Sequence, residues 1–151
     1  MFKMPSKSVR WVGVAVAPLL LLTACAPEET ATVSMDRIVG TWKGPDGEKI
    51  SFSADREFTA SGLDSKKLDG ANCPGMKLSG IWGFMVVEEN GSSFRSDTAK
   101  SGSWIGLGLA KKYWDLGCML DLAVVDDGDT LCATGDPDVP CDHDVRFTRD
   151  K

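Results

Sequence analysis

The chain from Gly40 onward predicts an all-β domain, a small antiparallel up-and-down barrel of about eight strands. Short segments of alternating apolar and polar residues recur there, with the period of half-buried strands. Sequences such as Asn90-Gly91 and Asp127-Gly128 separate them and are typical of two-residue hairpin turns. No stretch has the length and period of a long helix. Consecutive hairpins favour a meander, and closing the sheet into a barrel removes its exposed edges.

Residues 1–24 have the order of a secretory signal, with a basic start, a short apolar middle and a small-residue cleavage site. The apolar run Trp11–Leu22 is too short to span a bilayer, which needs about 20 apolar residues, and Pro18 interrupts it. The four residues Leu22-Thr23-Ala24-Cys25 resemble the lipobox of bacterial lipoproteins. In that family the cysteine is lipidated and becomes the new N-terminus.

This resemblance implies a signal peptide over 1–24, a lipid such as palmitate on Cys25, and a protein anchored on the extracytoplasmic face of the cell membrane. Two acyl chains would anchor the protein firmly in the membrane, because each buried methylene contributes about 0.8 kcal/mol. Cleavage removes three basic residues, which lowers the net charge from −5 to −8 and leaves one domain's worth of chain. So acidic a chain has no general attraction for nucleic acid, which we exclude as a partner.

Four cysteines remain after Cys25, and an even number in an exported domain predicts two disulfides. A zinc site is a poor alternative, because the chain has no Cys-x-x-Cys pair and a single histidine. Four cysteines allow three connectivities. The residues concerned are Cys73, Cys118, Cys132 and Cys141.

The hairpin turn at Asp127-Gly128 favours one of these connectivities. It pairs Val124 with Leu131, so that Cys132 faces outward, away from Cys118. This arrangement disfavours a Cys118–Cys132 bond, because a disulfide needs close, converging Cβ atoms. A bond between Cys132 and Cys141 would close a short loop. We therefore predict the pairs Cys132–Cys141 and Cys73–Cys118.

The first elements follow from turn and cap chemistry. Residues 25–34 predict a polar, lipidated tether, and Ser34 is suited to begin one helical turn that stops at Gly40. The barrel domain then spans 35–151. Its first hairpin is the most specific, because a three-residue loop places Phe52 opposite Phe58 with both side chains inward. The predicted elements are helix Met35–Val39 and strands Thr41–Lys43, Lys49–Ser53 and Glu57–Ser61.

The later elements follow from the same alternation. Gly62–Gly75 lacks any period and predicts a loop held by a disulfide. Lys111–Gly117, which contains Trp114, predicts a connection. The glycines at 106 and 108 predict a bend or a close approach within their strand. The predicted strands are Leu78–Glu88, Ser92–Asp97 with Phe94 inward, Ser103–Ala110, Cys118–Val125, Thr130–Thr134 and Asp144–Arg149.

The motif Gly-x-Trp occurs three times, and the first, Gly40-Thr41-Trp42, opens the first strand after a helical turn. In this it resembles lipocalin-like (calycin) barrels. The resemblance implies that an arginine of the last strand packs over Trp42, and Arg146 and Arg149 are the candidates. Gly40–Gly62 and the closing residues also look like small actinobacterial lipoproteins with lipocalin-like domains, most of unassigned function. The resemblance implies a fold and a location, without an activity.

Three tryptophans are the candidate ligand-binding residues. Trp42, Trp82 and Trp104 would line an apolar lumen, where aromatic walls suit a small lipophilic ligand. The alternative is that they fill the core, since an eight-stranded barrel has an interior just wide enough for side chains.

Other chemistry has weaker support. Alternate aspartates at 126–129 and 136–144 suit calcium, but neither cluster has the glycine and glutamate spacing of an EF-hand, and aspartate is also a common turn residue. His143, between two aspartates, is expected in an exposed loop. No motif of a hydrolase nucleophile, a zinc protease or a P-loop occurs. We therefore expect no enzyme, no cofactor and no metal.

Two functions compete. The first is a lipid-anchored, non-catalytic module that binds a small apolar ligand. The second is a protein-interaction or structural module of the cell envelope whose barrel core is filled.

Overall fold

The computed structural model describes residues 28–63, 68, 73, 75, 77–136 and 138–150. Besides the strands it has the short helix α1 (Met35–Ile38) and two 3-10 helices, Lys111–Leu116 and Asp126–Gly128. The strands are β1 (Val33–Ser34), β2 (Gly40–Lys43), β3 (Lys49–Phe52), β4 (Glu57–Ser61), β5 (Leu78–Val87), β6 (Ser93–Ser96), β7 (Ser101–Gly102), β8 (Trp104–Leu109), β9 (Asp121–Val125), β10 (Thr130–Thr134) and β11 (Arg146–Arg149).

Eight strands form a closed antiparallel barrel, as predicted. The order around it is β2, β3, β4, β5, β8, β9, β10 and β11, and pairing of β11 with β2 completes the circle. Strand β5 is the longest and serves two neighbours on one edge, β4 through Leu78–Ile81 and β6 through Phe84–Val87. The hairpin of β5 and β6 therefore extends beyond the barrel wall. Among the described residues, no helix is long and apolar enough to cross a bilayer.

The registers of the two predicted hairpins are confirmed. Phe52 lies opposite Phe58 across β3 and β4, and both side chains are buried. Val124 lies opposite Leu131 across β9 and β10, also buried. The turn between β9 and β10 places Asp127 at φ 55°, a conformation that aspartate tolerates better than most residues.

Two local predictions are corrected, and one predicted connection is defined in more detail. Phe94 lies on the protruding hairpin and is exposed, because β6 pairs with the part of β5 that continues past the barrel. Strand β9 begins at Asp121, so Cys118 precedes it in an irregular segment. The connection at 111–117 forms a 3-10 helix that ends at Gly117 in the left-handed conformation.

The barrel interior is filled by side chains. Aromatic and aliphatic residues from every strand of the barrel meet there at almost complete burial, and the space beside Phe58 and Leu107 is about 10 Å³, the size of one water. The rings of Phe52 and Phe84 both pack edge-on against Trp82. The largest fully buried side chains are Trp42, Trp82, Phe84, Phe147, Ile38, Ile50, Leu63, Leu68, Leu78, Ile105, Leu122 and Leu131.

One end of the barrel is closed by Trp42 and Arg149. The indole N–H of Trp42 donates to the carbonyl of Ile38, 2.9 Å away, which ties β2 to α1. The Arg149 guanidinium lies 5.1 Å from the centre of the Trp42 ring and donates to the carbonyls of Val39 and Arg37. Of the two candidate arginines, Arg149 is therefore the one that packs over the tryptophan.

A second pair repeats this arrangement beside the first. The indole N–H of Trp82 donates to the carbonyl of Ser53 at 3.0 Å. The Arg56 guanidinium lies 4.7 Å from the Trp82 ring and donates to the carbonyl of Ala99. The indole N–H of each tryptophan thus makes a hydrogen bond, and an arginine guanidinium lies over each ring. A cation over an electron-rich ring face is a favourable contact.

The segment from Glu28 to Ser34 lies against the outside of the barrel. Strand β1 pairs with β7, and the N–H of Ala31 donates to the carbonyl of Val124 at 2.8 Å. The Glu28 carboxylate accepts two hydrogen bonds from Arg146 at 2.7 and 2.5 Å. This differs from a free tether through residue 34, because backbone and ion-pair partners hold the segment from residue 28 onward.

Candidate functional site

The structure separates the three predicted ligand-binding tryptophans. Trp42 and Trp82 lie in the core and contribute to its packing. Trp104 pairs with Ala123 and packs on the outer face of the barrel with Val125 and the Cys132–Cys141 pair. The expectation that Trp104 lines the interior is therefore corrected: its neighbour Ile105 points inward, and successive side chains of a strand alternate.

The predicted cysteine pairs are present. Cys73 is bonded to Cys118 with an S–S distance of 2.02 Å, and Cys132 is bonded to Cys141. The first bond joins the loop after β4 to the irregular segment before β9, and the second closes the loop between β10 and β11. Cys25, the predicted lipidation site, lies outside the described residues.

A surface cleft lies where β8 and β9 diverge. Strand β8 pairs with β5 as far as Leu109 but with β9 only as far as Gly106. The last three residues of β8 are therefore not paired with β9, and the cleft opens beside them. The opening measures about 330 Å³, within the range of small-molecule sites. Its lining residues are Leu107, Leu109, Tyr113, Trp114, Gly117, Cys118, Met119, Leu120, Asp121, Thr134 and Gly135.

Large apolar side chains stand exposed along the rim of this cleft. Trp114 is 67% exposed and Met119 is 78% exposed, although both belong to residue types that favour burial. The indole N–H of Trp114 donates to the carbonyl of Leu109 at 3.0 Å, and the Tyr113 hydroxyl donates to the carbonyl of Lys77 at 3.3 Å. These bonds hold the aromatic rings in place, so the apolar surface is presented by an ordered rim.

The disulfide to Cys73 holds the far wall of the cleft. The described residues 117–120, which form this wall, have no regular secondary structure, and Cys118 is covalently tied to Cys73. Leu120 points into the core and is almost fully buried. Met119 thus lies between a disulfide-bonded residue, Cys118, and a core residue, Leu120. These two attachments keep the short segment from closing onto β8.

Asp121 supplies a carboxyl group to the lining. Burial raises the pKa of its carboxyl, while the Leu107 backbone N–H and the Arg95 guanidinium act in the opposite direction without cancelling the effect. Arg95 reaches it over Gly108, where a Cβ would stand 2.2 Å from Nη1. The glycines of β8 therefore make room for a charged side chain on the outer wall, which is their role in addition to close strand packing.

The raised pKa of Asp121 predicts a pH dependence of stability. A carboxyl whose folded pKa lies above its unfolded pKa favours folding in its protonated form, so that contribution is present at low pH and is lost as the pH rises through the raised pKa. The variant Asp121→Asn should remove this loss and be more stable than wild type at pH 7, measured by urea unfolding. Equal stability of variant and wild type across pH 4–8 would contradict the assigned burial effect.

The second acidic cluster has a structural role within its loop. The Asp142 carboxylate accepts hydrogen bonds from the backbone N–H groups of Gly135 and Asp136 at 2.9 and 3.1 Å. These bonds and the Thr134 hydroxyl lower the pKa of Asp142 against the raising effect of its burial. His143 is buried beside Gly135, which corrects the expectation of an exposed histidine. Within the described part of the chain, no three His, Cys, Asp or Glu side chains group as metal ligands.

The cleft was not found from the sequence. Its residues fall in the stretch predicted only as a connection, and they come together because β8 and β9 separate there. The available signal was local: Tyr113, Trp114, Leu116 and Met119 crowd into seven residues beside Cys118, an apolar density unusual for a surface loop.

Comparison of the chain with protein-family models gave no matching family, and searches of curated proteins and of solved structures gave no significant match.

Proposed function

We propose that this chain is a lipid-anchored, extracytoplasmic, non-catalytic barrel of lipocalin-like type that binds a small apolar ligand at the cleft between β8 and β9. The observation that carries the proposal is the contrast between two spaces. The barrel interior offers about 10 Å³, whereas the cleft offers about 330 Å³ and an exposed aromatic rim. The ligand site therefore lies at the edge of the barrel, outside the filled lumen.

The location rests on the signal sequence and its lipobox-like end at Cys25. The two cysteine pairs support it, because disulfides persist in oxidising compartments outside the cytoplasm. The contact between Arg149 and Trp42 supports the lipocalin-like assignment, since the resemblance implied an arginine at that position.

The cleft suits an apolar molecule with a single polar group. Leu107, Leu109, Trp114 and Met119 supply the apolar surface. Asp121 supplies one acceptor at the edge of that surface, where a hydroxyl or amine of the ligand would bind. Among the residues that the structure describes, Leu107, Leu109, Leu120 and Cys118 line both the cleft and the small interior space, so rotation of a leucine side chain would extend the site inward.

The second candidate is a protein-interaction module of the envelope. It is favoured by exposed apolar side chains in and beside the cleft, because Trp114, Leu116 and Met119 are all exposed within six residues, and Trp and Met are enriched in protein interfaces. In that case the cleft would receive a side chain of the partner.

Titration with 1-N-phenylnaphthylamine, an uncharged apolar fluorophore, tests the ligand proposal. Trp114→Ala should raise its Kd about fivefold, because a loss of about 40 Å² of apolar contact, at about 25 cal/mol per Å², corresponds to about 1 kcal/mol. Phe94→Ala removes an exposed aromatic ring that is outside the cleft lining and is the matched control, with an unchanged Kd. If wild type gives no saturable signal, or both variants weaken binding equally, the ligand proposal fails.

A further inference from the structure

We propose that the side of the barrel that carries β11 faces a lipid bilayer, because the N-terminal segment 28–34 is fastened to the barrel and begins at Arg146 of this strand. We call this segment the strap. The inference rests on the proposed lipidation of Cys25 and adds the orientation of the protein on the membrane.

The strap is held at its start by an ion pair with two hydrogen bonds. Glu28 and Arg146 meet at 2.7 and 2.5 Å, and Arg146 lies on the outer face of β11 opposite Cys132 of β10. Hydrogen bonding to Arg146 keeps the pKa of Glu28 below its usual range, so the pair is charged at neutral pH. Bidentate arginine–carboxylate contacts fix direction as well as distance.

The rest of the strap is held by backbone bonds and packing. The N–H of Ala31 donates to the carbonyl of Val124, and Val33 and Ser34 pair with Gly102 and Ser101. Val33 is buried, and Ala31 packs against the core cluster. Over its seven residues the strap therefore makes an ion pair, a backbone pairing with β7 and an apolar contact with the core. A flexible tether would make none of these contacts.

The reach of the anchor follows from covalent geometry. Three residue steps separate Cys25 from Glu28 and span at most about 10 Å, whereas a free chain from Cys25 to Ser34 would span up to about 30 Å. Opposite sheets of a packed core lie about 10 Å apart. A lipid on Cys25 therefore keeps β11 near the membrane surface and places the opposite wall, β4 and β5, farther out by about that distance.

The chemistry of the wall fits lipid headgroups better than the hydrocarbon layer. The outward side chains of β11 are Arg146 and Thr148, and Lys43 of the adjoining strand lies beside Thr148. Together with Asp144, these side chains border a shallow depression. Such a surface would rest against headgroups, while the acyl chains alone enter the bilayer.

Depth-dependent quenching tests the orientation in the lipidated full-length protein. A fluorophore is attached through Thr148→Cys on the proposed inner wall or through Thr59→Cys on the outer face of β4, in phosphatidylcholine vesicles that carry a nitroxide on the headgroup. Both positions are exposed. We expect at least twofold stronger quenching at 148 than at 59, since nitroxides quench at short range.

Release of the strap gives the second arm. The double variant Glu28→Gln, Ala31→Pro removes the ion pair and the Ala31 donor, so the difference between the two positions should fall to nothing. Glu29→Gln changes an exposed neighbouring carboxylate and should leave the difference intact. Equal quenching at both positions in the wild-type lipidated protein overturns the orientation while leaving the anchor in place. A mature form without acyl mass on Cys25 overturns the proposed function itself, and the orientation with it.

Discussion

Truncation of Trp82 to alanine is expected to lower the free energy of unfolding by about 3–5 kcal/mol, the range for removal of a large buried aromatic side chain. Trp82 is almost fully buried and contacts the rings of Phe52 and Phe84 edge-on. Its removal also leaves the carbonyl of Ser53 without this donor and Arg56 without the nearer of its two aromatic rings. These losses add to the cavity, because an unpaired buried polar group carries its own desolvation cost.

Urea unfolding of the mature protein measures the effect, and Trp114→Ala provides the control. Trp114 is the same residue type but is largely exposed, so its loss should change stability by less than about 1 kcal/mol. A loss of stability in Trp82→Ala that is as small as that expected for Trp114→Ala would contradict the packing role of Trp82.

Removal of the Cys73–Cys118 disulfide is expected to have an effect of similar size. The bond closes a loop of 45 residues, for which loop-closure entropy predicts a stabilisation of about 4 kcal/mol. The Cys132–Cys141 bond spans only 9 residues and should contribute about 2.6 kcal/mol by the same relation. The double variants Cys73→Ser, Cys118→Ser and Cys132→Ser, Cys141→Ser, compared by urea unfolding, give the two values.

The same pair of variants separates stability from binding. Cys118 lines the cleft, so its pair should be needed for binding of the apolar probe, whereas Cys132 and Cys141 lie outside the lining. We expect probe binding to weaken at least tenfold in the folded first variant and to be preserved in the folded second one. A ranking in the reverse order, in stability or in binding, would contradict the role given to the Cys73–Cys118 bond.

The hairpins could be predicted from the sequence because two independent signals agreed. Around Phe52 and Phe58, alternation and loop length specify one register, and a slip by one residue would turn every apolar side chain outward. The turn at Asp127-Gly128 fixed the pairing of Val124 with Leu131 and, through it, the outward direction of Cys132. The disulfide pairing followed from that direction.

The prediction that Trp104 lines the barrel interior is wrong because it followed residue type and not strand alternation. Ile105 lies in the core, and the alternation of side chains along β8 then requires Trp104 to point outward with the glycines. Its aromatic character suggested the interior, but the outer face of β9 and β10 is itself buried under a local cluster. Phe94 was misplaced for another reason, because the point at which β5 leaves the barrel depends on pairing with β4.

The strap and the cleft lay beyond sequence reasoning because both depend on contacts distant along the chain. Glu28 and Arg146 are 118 residues apart, and nothing local to Glu28 identifies its partner. The cleft exists because β8 continues along β5 after β9 has ended, a difference between two ladders. Patterns of alternation report which face a residue occupies and give no information on where neighbouring strands separate.

The most direct test of the account is the response of the indole N–H signals to 1-N-phenylnaphthylamine in a ¹⁵N-labelled mature chain that carries Cys25→Ser. This chain contains four tryptophans, and each has an assigned position: two in the core, one on the outer wall and one at the cleft. The account predicts that the Trp114 signal shifts saturably while those of Trp42 and Trp82 stay in place. A saturable shift of Trp42 or Trp82 with Trp114 unchanged would place the ligand inside the barrel and contradict it.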